Sequence, residues 1–191
     1  GCFQFGSCTI EGAVNKESPD WIKKHLESVG QKSLSAIAAI TNYVMLDMNR
    51  RLHAYDADKI SNKIIVRKYK KGETFQALDG KKYTLSNNSC VIADDSKILG
   101  LGGILGGELS GTEMNTTNVV IEAASFDPTS ITKSSKELGI MTDAKYRFER
   151  GVDPNSLEEG LIKSAKLIQE ICGGKIGKIN ITGSSTYKQR K

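Results

Sequence analysis

With 191 residues, 38% of them hydrophobic and 26% charged, the chain has the composition of a soluble globular protein able to bury one substantial core, built as one body or as two closely packed halves. The formal net charge of +5 lies entirely in residues 175–191, where Lys175, Lys178, Lys188, Arg190 and Lys191 stand without an acid; the remaining 174 residues balance 22 basic against 22 acidic side chains. No apolar run approaches the roughly 20 residues that span a bilayer, and the opening Gly1-Cys2-Phe3-Gln4 carries neither an initiator Met nor a secretion signal, so the expectation is a cytoplasmic piece of a longer protein.

Residues 2–14 alternate loosely and predict a strand. Ser18-Pro19-Asp20 offers a helix cap, a proline for the first helical position and an acid for the first turn; Trp21, Ile22, His25, Leu26 and Val29 then share a face that Gly30 can close. Leu34, Ile37, Ile40, Val44 and Met48 recur at helical spacing over 34–49, and His53 follows in what reads as a polar-aromatic loop. Strands are expected at 64–66, at 75–83 folded about Asp79-Gly80, at 90–93, at 98–101, and at 119–121, the last ending in Glu122. Asp127-Pro128 opens a helix for Gly139 to terminate, residues 147–151 read as extended, and Asp153-Pro154 opens a long helix ending at Gly173-Gly174. A final strand at 175–182 leads into a polar tail. Strands and helices without strict β-α alternation predict an α+β fold with mixed or antiparallel sheets packed against helices.

The chemistry-bearing residues are sparse. Four cysteines, at 2, 8, 90 and 172, form no C-x-x-C pair and lie far from His25 and His53 in sequence, which argues for buried reduced thiols and against a metal centre. Five glycines fall within residues 100–107 without P-loop or dinucleotide-binding spacing, so they read as freedom for a backbone that a ligand approaches, or as tight turns. Residues 59–82 carry eight Lys or Arg against Glu73 and Asp79, which fits either nucleic-acid contact or a solvated hairpin. Thr41, Asn42, His53 and Glu122 sit at or near the ends of apolar elements. Glu122 there is either in water or pointing into a cavity, where it needs a partner or a ligand.

Four segments resemble one family, the B3/B4 editing domain of bacterial phenylalanyl-tRNA synthetase beta subunits: Ile40-Thr-Asn-Tyr-Val-Met-Leu46; Leu52-His-Ala-Tyr-Asp-Ala-Asp-Lys-Ile60; Gly103-Ile-Leu-Gly-Gly-Glu108 with Thr117-Asn-Val-Val-Ile-Glu-Ala-Ala124; and Thr142-Asp-Ala-Lys-Tyr-Arg-Phe-Glu-Arg-Gly-Val-Asp-Pro154. The resemblance implies an editing domain over 2–174, in two associated halves, with 175–191 as a final strand and basic tail leading to the next domain. It implies hydrolysis of tyrosine wrongly esterified to the tRNA for phenylalanine. Glu122 would accept the phenolic proton, Gly103 would form a wall that admits the ring, and Thr142 and Ala144 would bound the pocket. Thr41, Asn42 and His53 would act at the ester end, orienting substrate and water. Expected partners are the tRNA acceptor end, tyrosine and the synthetase alpha subunit. No cofactor or metal is expected in this piece, since ATP and Mg belong to the parent's aminoacylation core. The segment 36–39 departs from the family in lacking Asn and Asp, which supports a second reading as a non-catalytic tRNA-contact or assembly module.

Overall fold

The predominantly apolar run at residues 119–126 makes a strand that is buried on both faces, and the rest of the chain is arranged around it. In the computed structural model, which describes residues 1–184, the order is β1 (Cys2–Glu11), α1 (Asp20–Ser28), α2 (Ala36–Met48), β2 (Leu52–Asp56), β3 (Ile65–Lys68), β4 (Thr74–Gln76), β5 (Lys82–Thr84), β6 (Cys90–Ala93), β7 (Ile98–Leu101), β8 (Leu105–Gly106), β9 (Val119–Phe126), α3 (Pro128–Leu138), α4 (Asp143–Phe148), α5 (Ser156–Cys172) and β10 (Lys175–Gly183). One antiparallel sheet has the order β10-β1-β9-β2, a second β3-β6-β7-β8, and β4 and β5 form the expected hairpin. The α+β expectation holds, with two halves that share the first sheet.

Two cores meet on that sheet. Val119, Ile121 and Ala123 of β9 face α1, α2 and α5, packing with Ile22 and Leu26, Ile37 and Ile40, and Leu161 and Ile168. Val120, Ala124 and Phe126 face the other way, toward Phe75, Val91, Leu99, Ile131 and Phe148. Strand residues two apart share a face, so this split follows directly from the sequence pattern.

Several boundaries differ from the sequence reading. Pro19, not Ser18, occupies the cap of α1 with extended backbone, because the Ser18 hydroxyl is engaged by Ser33 at 2.6 Å. His53 lies inside β2 rather than in a loop, and β9 continues four residues past Glu122, so neither residue stands at a strand end. Residues 143–148 are helical, where 147–151 were expected to be extended; the Thr142 hydroxyl caps the turn by accepting from Lys145 N at 3.1 Å. Strand β10 is not frayed, since it pairs with β1 from Gln4↔Gly183 to Glu11↔Lys175. The rest of the basic tail, with Lys188, Arg190 and Lys191, lies outside the described residues. All four cysteines are free thiols, three of them buried.

Arg50 fastens the two cores together. It is fully buried at the end of α2, and no carboxylate ion-pairs with it among the described residues. Its guanidinium instead donates to Ala124 O on β9 at 2.9 Å, to the Ser156 hydroxyl at 2.9 Å and to Asp153 O. Burial pushes its pKa down to about 10, with the charge of Asp153 opposing, so it stays a cation at neutral pH. Removing the donors takes a buried hydrogen bond from Ala124 O and leaves Asp153 O to Ser156 alone. Arg50→Met is therefore expected to lower stability by roughly 2–4 kcal/mol, with an unchanged denaturant slope, in urea unfolding of the chain.

Candidate functional site

A cavity of about 170 Å³ lies between the first sheet and the second half of the molecule. Its walls are mostly apolar, from Leu52, Leu78, Ile92, Ile104, Phe126 and Phe148, and three of the five clustered glycines line it: Gly100, Gly103 and Gly106. Cavities of ~150 Å³ lined by aliphatic and aromatic side chains admit benzene, so the space suits one aromatic ring.

Two glycines are required by geometry. Gly103 has φ +70° in the turn after β7, and a Cβ there would lie 2.7 Å from Ile131 and 2.8 Å from Phe126. A Cβ on Gly106 would come within 2.8 Å of both the His53 ring and Leu78, closing the cavity between them. Thr142 and Ala144 supply another wall from the start of α4. The Thr142 hydroxyl donates to Ile104 O at 2.6 Å, tying that helix to the turn carrying Gly103.

Glu122 is the cavity's carboxylate. Being even-numbered on β9, it shares the face of Val120 and Ala124, and it pairs directly with His53 across β2. It is buried, and the Tyr55 hydroxyl donates to its Oε2 at 2.6 Å. Burial pushes its pKa up to about 7; the Tyr55 bond and the charge of Arg51 pull it down. Tyr55 itself is pushed well above its ordinary value, by burial first and by the Glu122 charge second.

His53 sits beside them, its ring 4.4 Å from that of Tyr55, centroid to centroid. Its Nε2 is buried without a hydrogen-bond partner. Burial, aided by the charge of Arg51, lowers its pKa to about 4, so it is neutral at pH 7. Arg51 lines the cavity and donates to Asn42 Oδ1 at 3.3 Å.

Five of the seven residues singled out in the sequence thus line one cavity: His53, Glu122, Gly103, Thr142 and Ala144. Thr41 and Asn42 do not. Both are on α2, on the opposite side of the sheet; Thr41 donates back to Ala38 O at 2.8 Å, and Asn42 reaches the cavity only through Arg51. The sequence reading missed Tyr55 and Arg51. Tyr55 was detectable, two residues after His53 in an alternating strand and therefore on the same face. Among the described residues, no group of three or more His, Cys, Asp or Glu could hold a metal ion, and no helix is long and apolar enough to cross a membrane.

The two perturbed groups have opposite linkage to stability. Glu122 keeps its proton in the folded chain up to about pH 7, against 4.5 when unfolded, so its contribution is full below pH 4.5 and is lost as pH rises to 7. His53 contributes fully above pH 6.5, and that contribution is lost as pH falls to about 4. Over the shared interval they offset one another. Relative to the unsubstituted chain, Glu122→Gln should become more stabilising between pH 4.5 and 7, by about 3 kcal/mol at most, while His53→Gln should become less favourable between pH 4 and 6.5. Urea midpoints of the three proteins at pH 4 to 8 check both slopes.

Comparison with known proteins places this arrangement. Residues 1–173 match the family described as the B3/4 domain. The chain is 49% identical over 175 residues to the phenylalanine–tRNA ligase beta subunit of Wolbachia sp. subsp. Brugia malayi, covering 92% of this chain and 22% of that protein. It is 45% identical over 183 residues to the beta subunit of Rhodopseudomonas palustris, covering 96% and 23%. The chain therefore spans about a quarter of the length of these relatives. The crystal structure of an N-terminal fragment of the phenylalanyl-tRNA synthetase beta subunit from Pyrococcus horikoshii is similar at a TM-score of 0.48 and 17% identity, over 71% of this chain and 45% of that one. With the family model matched over residues 1–173, nearly the whole described chain, this chain belongs to the B3/4 domain family.

Proposed function

We propose that the cavity binds the side chain of tyrosine, and that the chain is the editing part of a phenylalanine–tRNA ligase beta subunit, hydrolysing the ester of tyrosine misattached to the tRNA for phenylalanine. The observation that carries this reading is a buried carboxylate, Glu122, on the wall of an otherwise apolar, ring-sized cavity. Tyrosine brings a hydroxyl to it; phenylalanine fills the same space and leaves the acceptor without that donor. A hydrogen bond to a charged group contributes ~1.5–3 kcal/mol, so tyrosine is favoured by roughly 10- to 100-fold in binding.

The hydrolytic end is placed at His53. Its neutral ring and unpartnered Nε2 can accept a hydrogen bond from an attacking water, and a neutral imidazole is the form able to take a proton. Arg51 contributes positive charge at the cavity wall for the developing oxyanion, positioned by Asn42. Thr41 then acts through the helix that holds Asn42. The acceptor end of the tRNA and the synthetase alpha subunit are the partners this function requires.

The position of Thr41 and Asn42 behind the sheet favours a second reading, a non-catalytic module of the synthetase whose cavity no longer turns over an ester. Titration of the chain with tyrosine and phenylalanine, followed by backbone amide shifts, should give shifts clustered at Gly103, Glu122 and Ala144 with the stated preference, and Glu122→Ala should abolish the preference. Equal responses to the two amino acids, together with unchanged deacylation of tyrosyl-tRNA by the parent synthetase carrying His53→Ala and Glu122→Ala, would establish the second reading.

A further inference from the structure

The carboxylate that receives the substrate hydroxyl in the preceding reading already holds a phenol. Tyr55 is 1% exposed, lines the cavity, and donates to Glu122 Oε2 at 2.6 Å. No group in the described chain donates to Oε1, the second oxygen of the same carboxylate, on a residue that lines the cavity. The Tyr55 ring packs edge-on against His53 at 4.4 Å, so one side chain touches both Glu122 and His53. A carboxylate has two oxygens and about four acceptor positions, so a phenol on Oε2 fixes the plane of the group and leaves Oε1 to a ligand.

We propose that Tyr55 is the specificity-setting residue of this site: its hydroxyl orients Glu122 and occupies Oε2, so that Oε1 alone is presented to the para-hydroxyl of a bound tyrosine side chain. The inference rests on the tyrosine-binding reading of the cavity. It follows that selectivity depends on a bond between two protein side chains, and not on Glu122 alone.

The bond also has an electrostatic consequence. The charged and titratable groups around Glu122 are Tyr55 and His53 on β2, Arg51 just before it, Asp143 on α4, and Cys2 and Cys90 from β1 and β6. Arg51 and the Tyr55 hydrogen bond both favour the carboxylate against burial. Loss of the Tyr55 hydroxyl leaves Arg51 as the sole opposing influence, so Glu122 retains its proton to higher pH. A neutral acid makes a weaker bond to the incoming hydroxyl than a carboxylate does, by a difference equivalent to about fivefold in affinity.

The test is Tyr55→Phe in this chain, which removes one oxygen and keeps the ring against His53. Free tyrosine and phenylalanine are titrated by NMR into both proteins from pH 5 to 9, and the Glu122 side-chain carboxyl carbon is followed through the same range. In the unsubstituted chain, tyrosine affinity should weaken below about pH 7, where Glu122 protonates, while phenylalanine affinity stays flat. In Tyr55→Phe, the midpoint of that profile and the Glu122 titration should both move to higher pH, and the tyrosine-over-phenylalanine ratio at pH 7 should fall about fivefold. An unchanged ratio and unchanged midpoint would overturn the role of Tyr55 while leaving the cavity a tyrosine site. No preference for tyrosine in the unsubstituted chain at any pH would overturn both.

Discussion

Strand β9 is the element on which both the fold and the candidate site depend. Its odd-numbered residues, from Val119 to Ala123, complete the helical core, and its even-numbered ones, from Val120 to Phe126, complete the core of the second half. A strand buried on both faces has no solvent side on which to place a carboxylate, so Glu122 must be in a cavity or in a core. A slip of one residue would drive Glu122 among Ile37, Ile40 and Leu161 and put apolar residues at the cavity. The register that makes the fold is therefore the register that makes the site. Arg50 reinforces it by holding Ala124 O from the end of the helix behind the sheet.

On the proposed reading of the cavity, the cost of that placement is what would let it discriminate tyrosine from phenylalanine. In water, a carboxylate would exchange one donor for another and tell tyrosine from phenylalanine poorly. Behind Phe126, Phe148 and Ile104 it has few donors, and each one counts. Among the described residues, the environment supplies two supports, Tyr55 and Arg51, Tyr55 held by its place in β2 and Arg51 by Asn42 on α2. The same dry surroundings strip His53 of its charge. One location thus holds an acid raised toward neutrality and a base lowered well below it, a separation of roles set by burial first and by neighbours second.

Much of this was legible in the sequence, for identifiable reasons. The strong turn dipeptide Asp79-Gly80, the Asp127-Pro128 helix start with Gly139 at its end, and the regular spacing of Leu157, Leu161, Ala165 and Ile168 are local signals, and each produced the element expected. The failures were of range. His53 read as a loop residue and Glu122 as a strand end because β2 and β9 are stabilised by pairing with each other, across 69 residues of sequence, and not by their own propensity. The short helix α4 was missed although Thr142-Asp143 is a cap followed by an acid in the first turn, since six residues show too little periodicity to be heard above the bulky aromatic ones. Thr41 and Asn42 were grouped with His53 by resemblance alone. Only the three-dimensional structure shows that a sheet separates them from the cavity.

The matched family region stops at residue 173, yet the chain continues into a strand that bears on the site. Strand β10 pairs along most of β1, and β1 is in turn the neighbour of β9 opposite β2, with Ser7 directly across from Glu122. Without β10, β1 would be an edge strand with a free row of backbone donors and acceptors, exposed to fraying and to pairing with other chains. On the β1 side of β9, the sheet edge would then be one strand from Glu122 instead of two. The polar, exposed side chains of β10, Lys175 and Lys178 among them, are what a covering edge strand needs: they satisfy the backbone of β1 while discouraging any further strand from joining. A segment that adds little to the hydrophobic cores thus completes the sheet that carries the carboxylate, and the folded unit extends beyond the region the family match delimits.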